Sequence, residues 1–273
     1  MYYDCHTHTC FSHDASQDKT PSASCKYAYE HGFSGIAFTE HADLRVDRQN
    51  RCTENVKREF KEVEELKKQY DGKMKVLMGV EIADVPYEPE VLNRILGICN
   101  YDILLCSVHL IEYQNKVMEM AVTDFSKACV CEMEKMLTIY YEDMRKSLYT
   151  HDFNVICHLT YPLRYFNKKY SRGVSLDCVA PIIDDIIKIA VDKNTALEIN
   201  TSKATEDDLD FCPSNEFVRM YKSSGGTLFT LGSDSHVIGT EGNMFDAAFS
   251  MLKSEGIDKC CYFENGKPRF YSI

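Results

Sequence analysis

Short apolar runs alternate with longer segments of helical period along the whole chain, and this alternation restricts the fold more than any other feature. Among the short runs are GIAF (35–38), KVLMGV (75–80), DILLCSV (102–108) and TALEIN (195–200), and helical patterns cover 54–70, 125–149 and 176–194. Such alternation is typical of repeated βα units, in which helices cover parallel strands. We therefore expect an α/β fold built around a parallel sheet or barrel.

Length and composition narrow the class of protein further. The 273 residues contain no linker and no repeat, so we expect a single domain over 1–273. The formal charge of −11 argues against a nucleic-acid partner, because binding to a phosphate backbone requires a basic face. No leader pattern and no run of about 18 apolar residues occur, so no membrane partner is expected. Thirteen cysteines without a CxxC pair indicate reduced thiols and a cytoplasmic location. The oligomeric state is left open.

Residues that bind metals lie at the ends of the apolar runs. Six of the nine histidines are at such ends, whereas His13, His31 and His151 are not. In a parallel barrel the carboxyl ends of the strands form one face, where side chains from many strands meet. The residues at these ends are His6, His8, Glu40, His41, Glu81, His109, His158, Asn200, Asp234 and His236.

The first run ends in the sequence HTH, in which His6 and His8 share one face of a strand. Alone this is weak evidence, because a surface strand can carry histidines without a function. Together with the other strand ends it predicts metal ligands. A catalytic zinc takes three protein ligands, so this many imidazoles plus Glu81 and Asp234 imply more than one metal, with Glu81 as a possible bridge. Cys5 and Cys10 flank the histidines and are weaker candidates.

The motifs DCHTHTCFSHDA, FTEHAD, GVE, SVH, CHLTYPLRY, LEINTS and TLGSDSH follow one another from residue 4 to residue 236. In their order and residue types they resemble the polymerase and histidinol phosphatase (PHP) superfamily of metal-dependent phosphoesterases. The resemblance implies a distorted (βα)7 TIM-like barrel with a metal site at the strand carboxyl ends. It implies three metal positions, with Glu40 as a supporting residue: a first held by His6, His8, Glu81 and Asp234, a second by Glu81, His109 and His158, and a third by Asp14, His41 and His236. His13 is a rival to Asp14, because that position is often histidine in the superfamily.

Within the superfamily the chain resembles the histidinol-phosphate phosphatases, which implies that it hydrolyses a small phosphate monoester. The cofactors would be two to three divalent ions of Zn, Mn or Fe, and the catalytic residues would be Arg164, Glu81, Asp234 and His236. A phosphoesterase acting on nucleotides or other small phosphate esters is the alternative. A metal-dependent amidohydrolase fits less well, because such enzymes bridge their metals with a lysine where this chain has His109. A non-catalytic metal-binding module would be expected to lack several ligands.

Basic residues near the ligands predict how the phosphate is bound. Arg164 follows His158 closely, at the position of a phosphate-binding arginine in the superfamily, and a guanidinium matches phosphate bidentately. Arg45 and Arg48 follow the FTEHAD motif and could line the same opening. Where the superfamily has a basic residue after EINTS, often arginine, this chain offers only Lys203. The acids that follow, Asp207, Asp208 and Asp210, could receive the amine of a substrate such as histidinol phosphate.

Overall fold

A computed structural model describes residues 1–47 and 51–273, and its centre is a nearly closed barrel of parallel strands. Seven strands follow in the order β1-β2-β4-β5-β8-β9-β10, and the short β3 extends the pairing of β2 along β4. Their bounds are β1 Tyr3–Thr7, β2 Gly35–Phe38, β3 His41–Asp43, β4 Lys75–Ala83, β5 Ile103–Ser107, β8 Val155–Ile156, β9 Ala196–Asn200 and β10 Phe229–Gly232. This confirms the predicted α/β barrel.

The first and last strands approach each other closely enough to close most of the circle. Asp234 N–H donates to the His6 carbonyl at 2.8 Å, and His8 N–H donates to the Ser235 carbonyl at 3.0 Å. These bonds continue β1 and β10 as a parallel pair just beyond their regular ends. The carboxyl end of β1, which carries the two histidines, therefore lies beside the carboxyl end of β10.

Helices cover the outside of the barrel, as the amphipathic patterns predict. The helix α1 begins after Thr20, whose hydroxyl accepts from Ala23 N–H at 3.2 Å, and α6 ends at Asn194 in the left-handed conformation that favours asparagine. The bounds are α1 Pro21–Glu30, α2 Arg51–Gln69, α3 Pro89–Leu96, α4 Val130–Thr150, α5 Tyr161–Leu163, α6 Ala180–Lys193, α7 Asn215–Ser223 and α8 Phe245–Ser254. The short α5 continues into a wider turn, Arg164–Lys169.

Two antiparallel hairpins lie outside the βα pattern and were not expected. One is formed by β6 Leu110–Tyr113 and β7 Lys116–Glu119, and the other by β11 Lys259–Glu264 and β12 Lys267–Ser272. The second hairpin packs under β10 and β1, where Tyr3 stacks on Tyr262 with ring centroids 4.1 Å apart. Among residues 1–47 and 51–273, no helix is long and apolar enough to cross a membrane.

Candidate metal centre

Glu81 lies at the middle of the candidate site, at the end of the long central strand β4. Its strand is buried on both faces, so the carboxylate is removed from water completely. Five imidazoles approach the Glu81 carboxylate. His6 and His8 come from β1 and the residue directly after it, and the other three follow three different strands, β2, β5 and β8. The contacts to Oε1 are His158 Nε2 at 2.7 Å and His109 Nε2 at 3.1 Å, and those to Oε2 are His41 Nδ1 at 2.8 Å, His6 Nε2 at 3.5 Å and His8 Nε2 at 3.6 Å.

Asp234 is the second carboxylate near His6 and His8. Its Oδ1 lies 3.3 Å from His8 Nε2 and 3.7 Å from His6 Nε2. The same carboxylate accepts from Asn200 Nδ2 at 3.2 Å, so the end of β9 fixes its orientation. His6, His8, Glu81 and Asp234, the four residues of the first predicted metal position, are therefore brought together.

Asp14 lies between the remaining two histidines of the ligand set. Its Oδ2 is 3.3 Å from His236 Nε2 and its Oδ1 is 3.5 Å from His41 Nε2. The neighbouring His13 is exposed, and its ring centroid is 5.8 Å from that of His41. The geometry therefore favours Asp14 over His13 as the third partner of His41 and His236. Cys5, by contrast, lies in the core with its thiol directed to the Cys261 carbonyl.

The donor set fits divalent cations. The Nε2 atoms of His6 and His8 are 3.1 Å apart, and those of His41 and His236 are 3.5 Å apart. A pair of neutral imidazole nitrogens at such distances can share at most one hydrogen. Glu81 Oε2 is fully buried and lies 2.8 Å from His41 Nδ1, yet neither atom has a hydrogen bond of acceptable angle to any residue in 1–47 or 51–273. Imidazole and carboxylate ligands suit Zn, Mn and Fe.

Opposite charges dominate the electrostatics of the cluster. Burial alone would raise the pKa of Glu81 and Asp234, but the imidazoles around them outweigh it and hold both pKa values well below the usual range. Burial also opposes the charging of His6, yet the Glu198, Asp234 and Glu81 carboxylates raise its pKa well above normal. The pKa of His8 is instead lowered, by burial and by the neighbouring His41 and His236. The site is thus an array of ionised carboxylates that attracts positive charge.

Two carboxylates that sequence reasoning missed hold the imidazoles from behind. Glu198 in β9 faces His6 Nδ1 at 2.6 Å with one oxygen and accepts from His158 N–H at 2.6 Å with the other. Asp43 in β3 lies 2.7 Å from His109 Nδ1. Such carboxylates fix the tautomer and direction of a ligating imidazole. The signal was present: Glu198 stands one alternation before Asn200 on the same strand face, and Asp43 stands two residues after His41.

Glu40, predicted as a supporting residue, also reaches the site from behind. Its carboxylate accepts from the Thr9 N–H and hydroxyl, each at 2.6 Å, and from the Ser12 hydroxyl. Ser12 Oγ in turn lies 3.2 Å from His8 Nδ1. Glu40 therefore acts on His8 through Ser12 without contacting the cluster directly.

Arg164 is placed beside the cluster, on the wide turn after α5. Its guanidinium donates to Asn200 Oδ1 at 3.0 Å and to Ser202 Oγ at 3.1 Å. Asn200 is the residue that also holds Asp234, so the guanidinium stands one side chain away from a proposed ligand. Its Nε is buried and has no hydrogen-bond partner in the part of the chain that the structure describes.

The other residues predicted to bind substrate are less close. Lys203 is exposed three residues after the end of β9. The Arg45 guanidinium contacts Glu112 at 2.7 Å and stacks over the Tyr87 ring, and Arg48 lies outside the described residues. Asp208 and Asp210 both pair with Lys168, at 2.7 and 2.9 Å, while Asp207 is exposed. The substrate roles of Lys203, Arg45 and these acids stay predictions.

A cavity of about 300 Å³ opens beside the cluster. The proposed ligands Asp14, His41 and His109 form part of its wall. Asp43 and Glu119 add acidic groups, and Phe11 and Tyr161 add aromatic surface. The cavity is large enough for a small organic phosphate and lies directly against proposed metal ligands.

Comparison with known proteins identifies the family. A sequence model of the PHP domain matches residues 4–202 of the chain. The chain belongs to the PHP domain family. Among relatives of this PHP domain is a probable histidinol-phosphatase of Clostridium acetobutylicum, 28% identical over 267 residues that cover 97% of each chain. Another is a histidinol-phosphatase of Lactococcus lactis subsp. lactis, 25% identical over 97% of this chain and 95% of the relative.

A solved structure shows the same fold. The crystal structure of a histidinol phosphate phosphatase from Lactococcus lactis subsp. lactis, complexed with zinc, L-histidinol and phosphate, superposes with a TM-score of 0.78. The two chains are 23% identical, and the match covers 98% of each. The PHP domain described here therefore has the complete barrel of that protein.

Proposed function

We propose that this PHP domain is a metal-dependent phosphatase that hydrolyses L-histidinol phosphate to L-histidinol and phosphate, a step of histidine biosynthesis. The observation that carries the proposal is the convergence of five imidazoles on the buried Glu81, with Arg164 separated from the neighbouring Asp234 only by Asn200. The choice of substrate is supported by two relatives that match the chain over almost their whole length and are named histidinol-phosphatase and probable histidinol-phosphatase.

The metal-binding part of the proposal assigns two to three divalent ions, of Zn, Mn or Fe, to the cluster. Bound there, the ions would acidify a water molecule and offset negative charge on the phosphoryl oxygens. The chain supplies the rest: Glu81 would be shared between positions, and Asp234 and His236 would complete them. The full assignment is His6, His8, Asp14, His41, Glu81, His109, His158, Asp234 and His236.

Arg164 is assigned to the phosphate. Its contacts to Asn200 and Ser202 direct the guanidinium along the edge of the cluster, so a phosphate at the cluster could be gripped by the planar fork. Lys203 could approach the same phosphate from the loop after β9. The acidic groups in the cavity wall, Asp43 and Glu119, suit a substrate that carries an ammonium group as well as a phosphate.

We also propose that the whole chain acts as a single domain in the cytoplasm, on a small molecule and not on nucleic acid. The net charge of −11 and the thirteen cysteines support this. Residues 203–273 lie beyond the family match, yet β10 and the segment after it carry Asp234 and His236 of the same cluster.

A phosphatase acting on nucleotides or other small phosphate esters is the second candidate, because the same cluster would serve any monoester. A panel of esters assayed with zinc and with manganese separates the two. We expect kcat/KM for histidinol phosphate to exceed that for p-nitrophenyl phosphate and for nucleoside monophosphates, since an ion pair to the amine favours only a substrate that carries it. Equal values for all esters would contradict the assigned substrate but leave the metal-dependent phosphatase in place.

A further inference from the structure

Lys19 is a fully buried lysine in the first of two loops that together carry four of the proposed ligands, His8, Asp14, Asp234 and His236. Its ammonium donates to the Glu241 carboxylate at 2.5 Å and to the Ser235 hydroxyl at 2.8 Å. The Glu241 side chain is buried as well, and its second oxygen accepts from Gly239 N–H at 2.8 Å. Taking two charges out of water is costly, so a buried pair that is not part of the ligand set calls for an explanation.

The ion pair joins two loops of the barrel's carboxyl face. The first loop, residues 8–20, follows β1 and carries Asp14, and the last loop, residues 233–244, follows β10 and carries His236. A second tie supports the pair: Ser16 N–H donates to the His236 carbonyl at 2.9 Å. Within the first loop, the Lys19 carbonyl accepts from Cys10 N–H at 2.8 Å, so the lysine also braces its own loop.

Asp14 and His236 need such support more than the other ligands do. Their side chains are 45% and 25% exposed, whereas every other proposed ligand is 14% exposed or less. Both stand on loops, so the hydrogen bonds of the barrel strands do not hold them. Their 3.3 Å approach depends on how the first and last loops meet.

We propose that the Lys19–Glu241 ion pair is a positioning device, which locks the first and last loops together so that Asp14 and His236 can share one metal ion. The two residues act through Ser235 and the loop backbone and contact none of the proposed ligand atoms. The inference rests on the metal centre proposed above and not on the identity of the substrate.

Metal content distinguishes this role from simple stabilisation of the fold. The test uses the full-length variants Lys19→Met and Glu241→Gln, with Asp14→Ala to mark the ion in question. Lys67→Met is the matched control, since its ammonium pairs with the buried Asp102 at 2.9 Å near the amino ends of the strands. Each protein is stripped of metal and titrated with zinc by equilibrium dialysis, with ions per chain counted by elemental analysis. Circular dichroism checks the fold.

We expect Lys19→Met and Glu241→Gln to weaken, by about tenfold or more, the same ion that Asp14→Ala loses, while the other ions keep wild-type affinity. Lys67→Met should bind the full set. If Lys19→Met does not fold, Glu241→Gln, which keeps the shape of the side chain, decides the outcome.

Unchanged zinc binding in the folded variants would overturn the proposal. Equal weakening of every ion would also overturn it, because the pair would then stabilise the fold in general. So would wild-type zinc content in Asp14→Ala, since no ion would depend on that loop. Because no substrate is present, a failure of the histidinol phosphate assignment in the ester panel leaves these results unaffected.

Discussion

Glu81 has more close imidazole partners than any other proposed ligand, and it is the one carboxylate that both the first and second metal positions require. Replacing it by alanine leaves five imidazoles facing one another around an empty volume. We predict that Glu81→Ala loses more than one ion per chain, which elemental analysis after reconstitution with zinc would measure. The loss of a single ion would instead make Glu81 a terminal ligand of one position.

Arg164 has no carboxylate among its hydrogen-bond partners, Asn200 and Ser202, so its charge is available to a phosphate. We predict that Arg164→Ala lowers kcat/KM by about 100-fold, which corresponds to the loss of one charge-assisted contact worth nearly 3 kcal/mol. Arg164→Lys should recover little, because a lysine cannot form the bidentate contact. Arg172→Ala is the control, since Arg172 is a half-buried arginine eight residues farther along the chain and donates to the Ser126 carbonyl. Wild-type kinetics in Arg164→Ala would show that Arg164 does not bind the phosphate and has only a structural role.

The residues that converge on Glu81 could be predicted from the sequence, and so could Glu40, but the contacts that Glu198 and Asp43 make behind them depend on the tertiary fold. The sequence indicates His41, Glu81 and His109 because each ends or closely follows an apolar run, and strand ends converge in a parallel barrel. Glu198 gives a weaker signal, since it lies inside the run TALEIN and only shares a strand face with Asn200. Its role depends on which strand becomes its neighbour after the chain has closed into a circle, and that is a property of the tertiary fold.

At the scale of elements, β10 must approach β1 and β9 very closely for the contact between the Glu198 carboxylate and His6 Nδ1, here called the clamp, to form. A Cβ atom on Gly232 would lie 2.6 Å from His6 Cβ and would also collide with the Glu198 carboxylate. We predict that Gly232→Ala destabilises the fold by about 1–3 kcal/mol and weakens zinc binding by tenfold or more, because it displaces both residues. Thermal unfolding and equilibrium dialysis would measure the two effects.

Gly35→Ala, in β2, is the matched control for Gly232→Ala. Its new Cβ would lie 2.6 Å from the Tyr3 ring at the opposite end of the barrel, so it should destabilise the fold to a similar degree with unchanged metal affinity. Equal loss of zinc in both variants would show that general strain, and not the clamp, controls binding.

The helices were predictable because burial of one face gives them a period, and the barrel strands because burial on both faces makes each a short apolar run. The hairpin β6–β7 was not, since its residues are partly exposed and read as a continuation of the segment after His109. The β11–β12 hairpin, with its buried Cys260 and Cys261, gives only an apolar run in the sequence. Nothing in that run specifies that it pairs with the chain's last residues and packs under the barrel.

At the scale of the whole molecule, the proposed metal centre takes its ligands from the ends of six barrel strands, β1, β2, β4, β5, β8 and β10, that lie far apart in sequence. Without cations, Glu81 and Asp234 keep their negative charges in a buried site, and the imidazoles compete for the protons between them. Binding of cations to the folded state only should therefore contribute directly to the free energy of unfolding. At an ion concentration 100 times the dissociation constant, each ion would contribute about 2.7 kcal/mol.

We therefore predict that removing the metals with a chelator lowers the thermal unfolding midpoint by about 5 °C or more for each ion lost. Adding zinc back should restore the midpoint, and the recovery should grow with the logarithm of zinc concentration because it follows mass action. Differential scanning calorimetry of the chelated and reconstituted protein would measure both effects. Glu81→Ala provides the control: with more than one ion already missing, its midpoint should respond to the chelator much less than that of the wild-type protein. A wild-type midpoint that is identical with and without chelator would mean that the strand ends hold their arrangement without cations, and that the hydrogen bonds of Glu198, Asp43 and Glu40 suffice to keep the imidazoles in place.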